Sequence, residues 1–193
     1  MYYIYKDDEI AVRKMEDCID DYNLMVKWLS NPVVLEYYEG RNNPFDYDRV
    51  IHKFGPRAKG EEPVIPCILE YKERPIGYLQ YFRIEAEEYK VSEIINLQTY
   101  SSPYGIDLFI GETNHWNKGV GTKLLLAGLR YLFEYENADV IFIDPLTSNK
   151  RAIKCYEKCG FKPVGIIENR ELQEGKYKDS LIMLISASEL CNR

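Results

Sequence analysis

Histidine is nearly missing from this chain: His52 and His115 are the only two in 193 residues, and they stand far apart. The five cysteines, Cys18, Cys67, Cys155, Cys159 and Cys191, form an odd set with no C-x-x-C pair. Neither a zinc site nor a disulfide framework follows, so no metal is expected and the thiols read as buried or incidental in a reducing compartment. No stretch approaches the roughly 18 apolar residues of a membrane span. Met1 to Asp8 lacks the apolar region of a secretory signal, so a cytoplasmic protein without a membrane partner is expected. Basic excess is absent too: 25 Lys and Arg stand against 31 Asp and Glu, a net charge of -6 and a sequence pI near 5.1. That argues against a nucleic-acid partner and turns attention to cationic ligands, although mild acidity also serves plain solubility.

What is present is ordinary globular composition, 46% hydrophobic and 29% charged, with an unusual supply of aromatics in 17 tyrosines and 7 phenylalanines. The length suits one domain over residues 1–193. Glu9 to Met15 alternates as a first strand, and Asp20 to Leu29 takes helical spacing with acidic residues in its first turn. Asn31-Pro32 restarts a helix over Val33 to Glu39 that stops at Gly40. Arg41 to Phe45 reads as loop, Asp46 to Phe54 as a third helix, and Gly55 to Pro63 as loop again. Strands Val64 to Tyr71 and Pro75 to Ile84 form a hairpin around Lys72-Glu73-Arg74. Glu85 to Pro103 is acidic and irregular, a length of loop that is functional or mobile inside a compact domain. The second half alternates: strand Tyr104 to Ile110, a glycine-started helix to about Tyr135, strand Val140 to Asp144, helix Asn149 to Lys158, strand Phe161 to Ile167, strand Ser180 to Ile185. Such alternation predicts an α/β sheet with crossovers, made mixed by the upstream hairpin.

The stretch Lys118-Gly119-Val120-Gly121-Thr122-Lys123 places two glycines where a helix begins, although each disfavours helix by about 1 kcal/mol relative to alanine. Two readings are open. Gly119 closes a turn and Gly121 lets the helix pack near a strand; or bare glycines let an anionic group reach the unpaired N–H groups of the first turn, with Lys118 and Lys123 adding charge. The dinucleotide fingerprint and the Walker pattern both fail here.

Downstream, Asp144-Pro145 leads into Asn149 to Phe161, an N-x-x-A-I-x-x-Y-x-x-x-G-F arrangement. Together with the upstream G-x-G it resembles the GCN5-related N-acetyltransferase superfamily. Within it the chain looks like the aminoglycoside 6'-N-acetyltransferases, on Trp28-Leu29, Val34 to Arg41, Pro75 to Gln80, Gly105 to Gly111, Trp116 to Thr122 and Asp144 to Phe161. The resemblance implies a single-domain α/β (α+β) fold with a mixed, mostly antiparallel, splayed sheet flanked by helices. It implies acetyl-CoA as the acyl donor, held by Phe109, Ile110, Lys118, Gly119, Val120, Gly121, Thr122, Lys123, Asn149 and Ala152. Trp116 departs from the superfamily pattern, which places Gln or Arg there, and removes one polar contact. An aminoglycoside is a polycation, and the carboxylates that would meet it are Asp107, Asp144, Glu39 and the cluster Glu85, Glu87 and Glu88, of which Glu87 is assigned to the substrate with Tyr38 and Gln80. By resemblance Asp107 accepts the amine proton or anchors the amine, backbone N–H groups around Phe109 and Ile110 polarise the thioester, and Tyr156 protonates the thiolate. An ordinary aspartate titrates near 3.9, so burial must raise Asp107 if it is to act as a base. Helical spacing also permits Tyr156 to be a core residue. The alternatives are a relative acetylating a protein N-terminus, a polyamine or a siderophore-type amine, and a non-catalytic coenzyme-binding sensor. Monomer and homodimer are both open.

Overall fold

The computed structural model describes residues 1–85 and 94–190. In chain order the elements are β1 (Tyr3–Lys6), β2 (Ile10–Lys14), α1 (Ile19–Leu29), α2 (Pro32–Leu35), α3 (Tyr47–Lys59), β3 (Val64–Tyr71), β4 (Arg74–Arg83), β5 (Pro103–Ile110), α4 (Val120–Glu134), β6 (Val140–Ile143), α5 (Lys150–Cys159), β7 (Lys162–Gln173), β8 (Lys176–Ser186) and α6 (Ala187–Leu190). They build one open eight-stranded sheet in the order β1-β2-β3-β4-β5-β6-β8-β7. Every neighbouring pair is antiparallel except β5 with β6. The mixed, mostly antiparallel sheet with flanking helices expected from the sequence is therefore borne out.

Period-two alternation splits the core into layers. Cys67 and Leu69 of β3, Leu79 and Tyr81 of β4 and Ile106 of β5 pack with Leu124, Leu125 and Leu129 of α4 and Ile153 of α5. Ile68 and Tyr78, on the opposite face, pack with Met25 and Trp28 of α1 and Val50 and Phe54 of α3. A buried charge cluster ties this second layer to the sheet. Arg13 of β2 donates to both Asp21 oxygens, at 2.7 and 2.6 Å, and to Glu70 of β3 at 2.8 Å. Removing one member of so buried a set strands its partners, at a cost of about 3–5 kcal/mol.

Four local expectations need correction. Tyr3 to Lys6 forms a strand, closed onto β2 by Asp7, whose Oδ1 accepts from Glu9 N at 2.8 Å and Ile10 N at 2.7 Å. The second helix spans only Pro32–Leu35, begun by Asn31, whose side chain accepts from Val33 N at 3.0 Å; Gly40 with φ 87° ends the turn that follows. The third helix runs through Gly55-Pro56 to Lys59, because Phe54 and Gly55 are buried against α1, and it stops only at left-handed Gly60, φ 75°. Finally, β7 is 12 residues long and pairs with an 11-residue β8 in a hairpin. Both sides of β7 are largely exposed, so it carries little of the apolar alternation by which a strand is read.

Candidate functional site

The sheet comes apart at one place. Parallel pairing of β5 with β6 covers only Pro103, Tyr104 and Gly105 against Val140, Ile141 and Phe142. From Ile106 to Ile110 that flank of β5 has no strand beside it among the described residues, while its other flank stays paired with β4 through Ile110. Two cavities meet along this bare flank. Tyr37, Tyr38, Leu108, Asn149 and Tyr156 line both.

The first is a cleft of about 520 Å³ between the end of β5, the start of α4 and the exposed face of α5. Gly119, with φ 80°, is the N-cap of α4 and offers no side-chain cap to the first turn. A side chain there would be strained whatever the space. Gly121 has a different reason for being glycine. A Cβ on it would meet only Ile110 Cγ1 at an ordinary 3.6 Å, so nothing in the protein requires the bare position. The packing explanation for Gly121 thus fails, and room is left beside the unpaired amides of the helix start. Positive charge reaches the cleft from α5: Lys150, Arg151, Lys154 and Lys158 line it. Arg151 stacks 3.4 Å from the centre of the Trp116 ring, and Trp116 Nε1 donates to Ile110 O at 2.7 Å. Trp116 therefore serves as a platform for a cation in place of the polar side chain that the pattern led one to expect. Open amides, a bare Gly121 and a cationic wall suit a long polyanion such as acetyl-CoA.

The second cavity, about 660 Å³, is lined by charges of both signs. Glu39, Asp107, Asp144 and Glu171 supply carboxylates; Lys53, Arg57 and Arg170 supply cations. Most of these are paired. Lys53 bonds Glu39, and Arg170 Nη2 meets Asp144 Oδ2 at 2.6 Å. Arg57 donates to Glu62 at 3.0 Å and to Gln80 Oε1 at 2.8 Å. Gln80 in turn donates to Asp107 Oδ2 at 2.7 Å, from the position directly across the β4–β5 ladder. Asp107 has no ion pair of its own among these contacts.

Burial raises the Asp107 carboxyl above the ordinary range, against the opposing pull of the Gln80 hydrogen bond and the nearby Arg57, Lys53 and Arg170. Asp144 is pushed up to about 7, by burial first and by the charge of Asp107 second. Tyr156 is buried, and desolvation, with Cys155 and Asp107 close by, drives its hydroxyl pKa up. Tyr38 is raised in the same way, and its ring lies 4.8 Å from that of Phe109. Cys155 also faces the cleft, its sulfur 3.3 Å from Thr122 Oγ1, and its thiol is lowered to about 7 by hydrogen bonds from Cys159 and Thr122.

Of the residues expected at the donor, Phe109, Ile110, Gly119, Gly121, Thr122, Asn149 and Ala152 line the cleft, Asn149 also capping α5 through Ala152 N at 3.2 Å. Val120 is buried in the core, Lys118 stands exposed outside the cleft wall, and Lys123 pairs with Glu9 on the far side of α4. Tyr38, Glu39, Gln80, Asp107 and Asp144 come together around the second cavity, as Tyr156 does. Glu85 is exposed and lines neither cavity; Glu87 and Glu88 lie outside the described residues. The sequence reading missed the cations of α5, although Lys150, Lys154 and Lys158 recur at the four-residue spacing of one helix face. It also missed Lys53, Arg57, Arg170 and Glu171, for which no local motif exists.

A model of the acetyltransferase (GNAT) domain matches residues 17–169. The aminoglycoside N(6')-acetyltransferase type 1 of Klebsiella pneumoniae is 30% identical over 162 residues, which cover 83% of this chain and 78% of that protein. The solved structure of AAC(6')-Ib with ribostamycin and coenzyme A superposes at a TM-score of 0.74 and 26% identity, covering 94% of this chain and 96% of that one. Spermidine N-acetyltransferase from Vibrio cholerae, solved with CoA and spermine, has a TM-score of 0.76 at 19% identity over 96% of this chain and 100% of that one, a likeness of fold alone.

Proposed function

The chain belongs to the GNAT acetyltransferase family, whose donor is acetyl-CoA, and from that premise we propose that it acetylates the 6'-amine of aminoglycosides by direct transfer in a ternary complex. One observation carries the reading: Asp107 lines the charged acceptor space, and Tyr156, which lines both cavities, stands on the helix that walls the donor cleft. Carboxylates around that space suit an acceptor bearing several ammonium groups.

Acetyl-CoA supplies an activated acyl carbon on a thiolate leaving group. Everything else falls to the chain. Asp107 receives a proton from the acceptor ammonium or, as the amine attacks, from the new C–N centre; its raised pKa narrows the gap that makes an ordinary aspartate a weak base. Of the backbone N–H groups around Phe109 and Ile110, the one on the bare flank of β5 serves the carbonyl oxygen as charge develops on it. Tyr156, held protonated by burial, gives its proton to the departing sulfur as the C–S bond breaks. The nitrogen sheds two protons on the way from ammonium to amide: Asp107 receives one and passes it to solvent, the other restores the Tyr156 hydroxyl, so no cysteine intermediate is needed and Cys155 has no step to perform.

A second reading, a less highly charged amine such as a polyamine, a siderophore-type amine or a protein N-terminus, has one observation in its favour. Glu39 and Asp144 are already paired with Lys53 and Arg170, which leaves fewer carboxylates for the acceptor. A thiol-release assay with kanamycin, neomycin, spermidine and a peptide separates the two. Release with the aminoglycosides and a product acetylated at the 6'-amine is expected. Release with spermidine or peptide alone moves the assignment to the second reading, and release with none of the amines points to a coenzyme-binding sensor.

A further inference from the structure

Gln80 lines the acceptor space, yet both ends of its amide are committed within the protein. Its Oε1 accepts from Arg57 Nη1 at 2.8 Å and from the Tyr78 hydroxyl at 2.9 Å, and its Nε2 donates to Asp107 Oδ2 at 2.7 Å. Turning the amide over would set Oε1 against a carboxylate oxygen and face Nε2 with two donors. The two donors on Oε1 therefore decide which end of Gln80 meets Asp107. Of these, the guanidinium gives the stronger bond because it is charged. It is also held in place, donating through Nε to Glu62 Oε2 at 3.0 Å and lying 5.7 Å from the centre of the Phe54 ring. The planar fork reaches Glu62 and Gln80 at once, a task a lysine ammonium cannot reproduce.

We propose that Arg57 is a positioning residue for acyl transfer: acting through Gln80, it holds the Asp107 carboxylate by Oδ2 and leaves the other oxygen for the acceptor amine. This rests on the reading of Asp107 as the group that receives the amine proton. Gln80 is then part of the Asp107 support, its Oε1 taken by two donors and one Nε2 hydrogen given to Asp107.

Arg57 does not act on Asp107 alone. Lys53 of α3 and Arg170 of β7 also lower it, while Asp144 after β6, Glu171 of β7 and Glu39 ahead of α3 bring like charge to the same cavity. The hydroxyls of Tyr38, Tyr78 and Tyr156 face it from the turn after α2, from β4 and from α5. Removing Arg57 leaves all of these in place and takes away one cation, so the Asp107 pKa rises further.

The test measures kcat, acceptor KM and the pH profile of kcat/KM for Arg57→Met, Arg57→Lys and Asp107→Asn, with melting temperature as a check on folding. For Arg57→Met, kcat is expected to fall ~10-fold with acceptor KM within about twofold, and the acidic limb of the profile to move up by ~1 pH unit. Arg57→Lys keeps the charge and loses the fork: its limb stays within ~0.3 of the parent while kcat still falls ~3-fold. In a Gln80→Leu background the kcat loss from Arg57→Met shrinks to less than ~3-fold, because the link through which Arg57 acts is gone. If Asp107→Asn collapses kcat while Arg57→Met leaves both kcat and the limb where they were, the positioning role is overturned and the reading of Asp107 stands. A folded Asp107→Asn enzyme with full kcat overturns both. Equal effects of Arg57→Met in the two backgrounds would also overturn it, since Arg57 would then act by some route other than Gln80.

Discussion

The two halves of this site are built from different materials. The donor cleft offers backbone amides at the start of α4, a missing Cβ at Gly121 and a row of cations along one helix face. The acceptor cavity offers charged side chains that mostly hold each other: Lys53 on Glu39, Arg170 on Asp144, Arg57 on Gln80 and Gln80 on Asp107. A surface made of backbone is fixed by the fold, whereas a surface made of paired side chains can be retuned one residue at a time. The lesson is that donor affinity and acceptor choice should respond to different substitutions.

The largest test of that separation is Asp107→Asn. It is expected to lower kcat by ~10²–10³-fold while the dissociation constant for acetyl-CoA, read by calorimetry, stays within about twofold. Parallel losses of turnover and donor affinity would erase the boundary between the halves. Gly121→Val probes the other side: acetyl-CoA binding weakens ~30-fold, about 2 kcal/mol, with melting lowered by no more than ~3 °C because the protein itself leaves the space open. Unchanged affinity would mean that the bare position serves no ligand. Tyr156→Phe, at the junction, should cost ~10-fold in kcat, less than Asp107→Asn, since a thiol of pKa near 8.5 leaves with modest help. Equal, small losses in both variants would remove the roles given to them. Smallest of all, Glu171→Gln should raise the acceptor KM ~5-fold, about 1 kcal/mol, and leave the donor constants alone; steady-state kinetics against both substrates checks it.

The same contrast explains what could be read from the sequence. The cleft that the proposed function gives to the donor is lined from two contiguous segments, Trp116 to Thr122 and Asn149 to Lys158, so a spacing pattern captures them. Charge within that region was misplaced. Lys118 and Lys123 flank the glycines in sequence, but helical geometry sends Lys123 to Glu9, and α5 supplies the cations instead. The acceptor cavity draws Glu39 from the turn after α2, Lys53 and Arg57 from α3, Gln80 from β4, Asp107 from β5, Asp144 from beyond β6 and Arg170 and Glu171 from β7. Gln80, Asp107, Asp144 and Tyr156, within the resembling segments, with Tyr38 and Glu39 near the start, were legible. Arg57 sat in a stretch that read as loop, because Gly55-Pro56 looks like a stop until burial against α1 overrides it. Arg170 and Glu171 sat beyond the expected end of their strand, on an element too exposed to show a pattern.

A strand with one bare flank ordinarily invites another strand, which is how sheets grow across molecules and how they aggregate. Here the bare part, Ile106 to Ile110, is sunk between the beginnings of two helices instead of lying at the outer margin of the sheet. Its backbone groups on that side face a cleft and not a neighbouring strand, so under the proposed function they are open to a ligand. If the chain works as proposed, what would be a hazard at the rim becomes, in the interior, a berth for the donor.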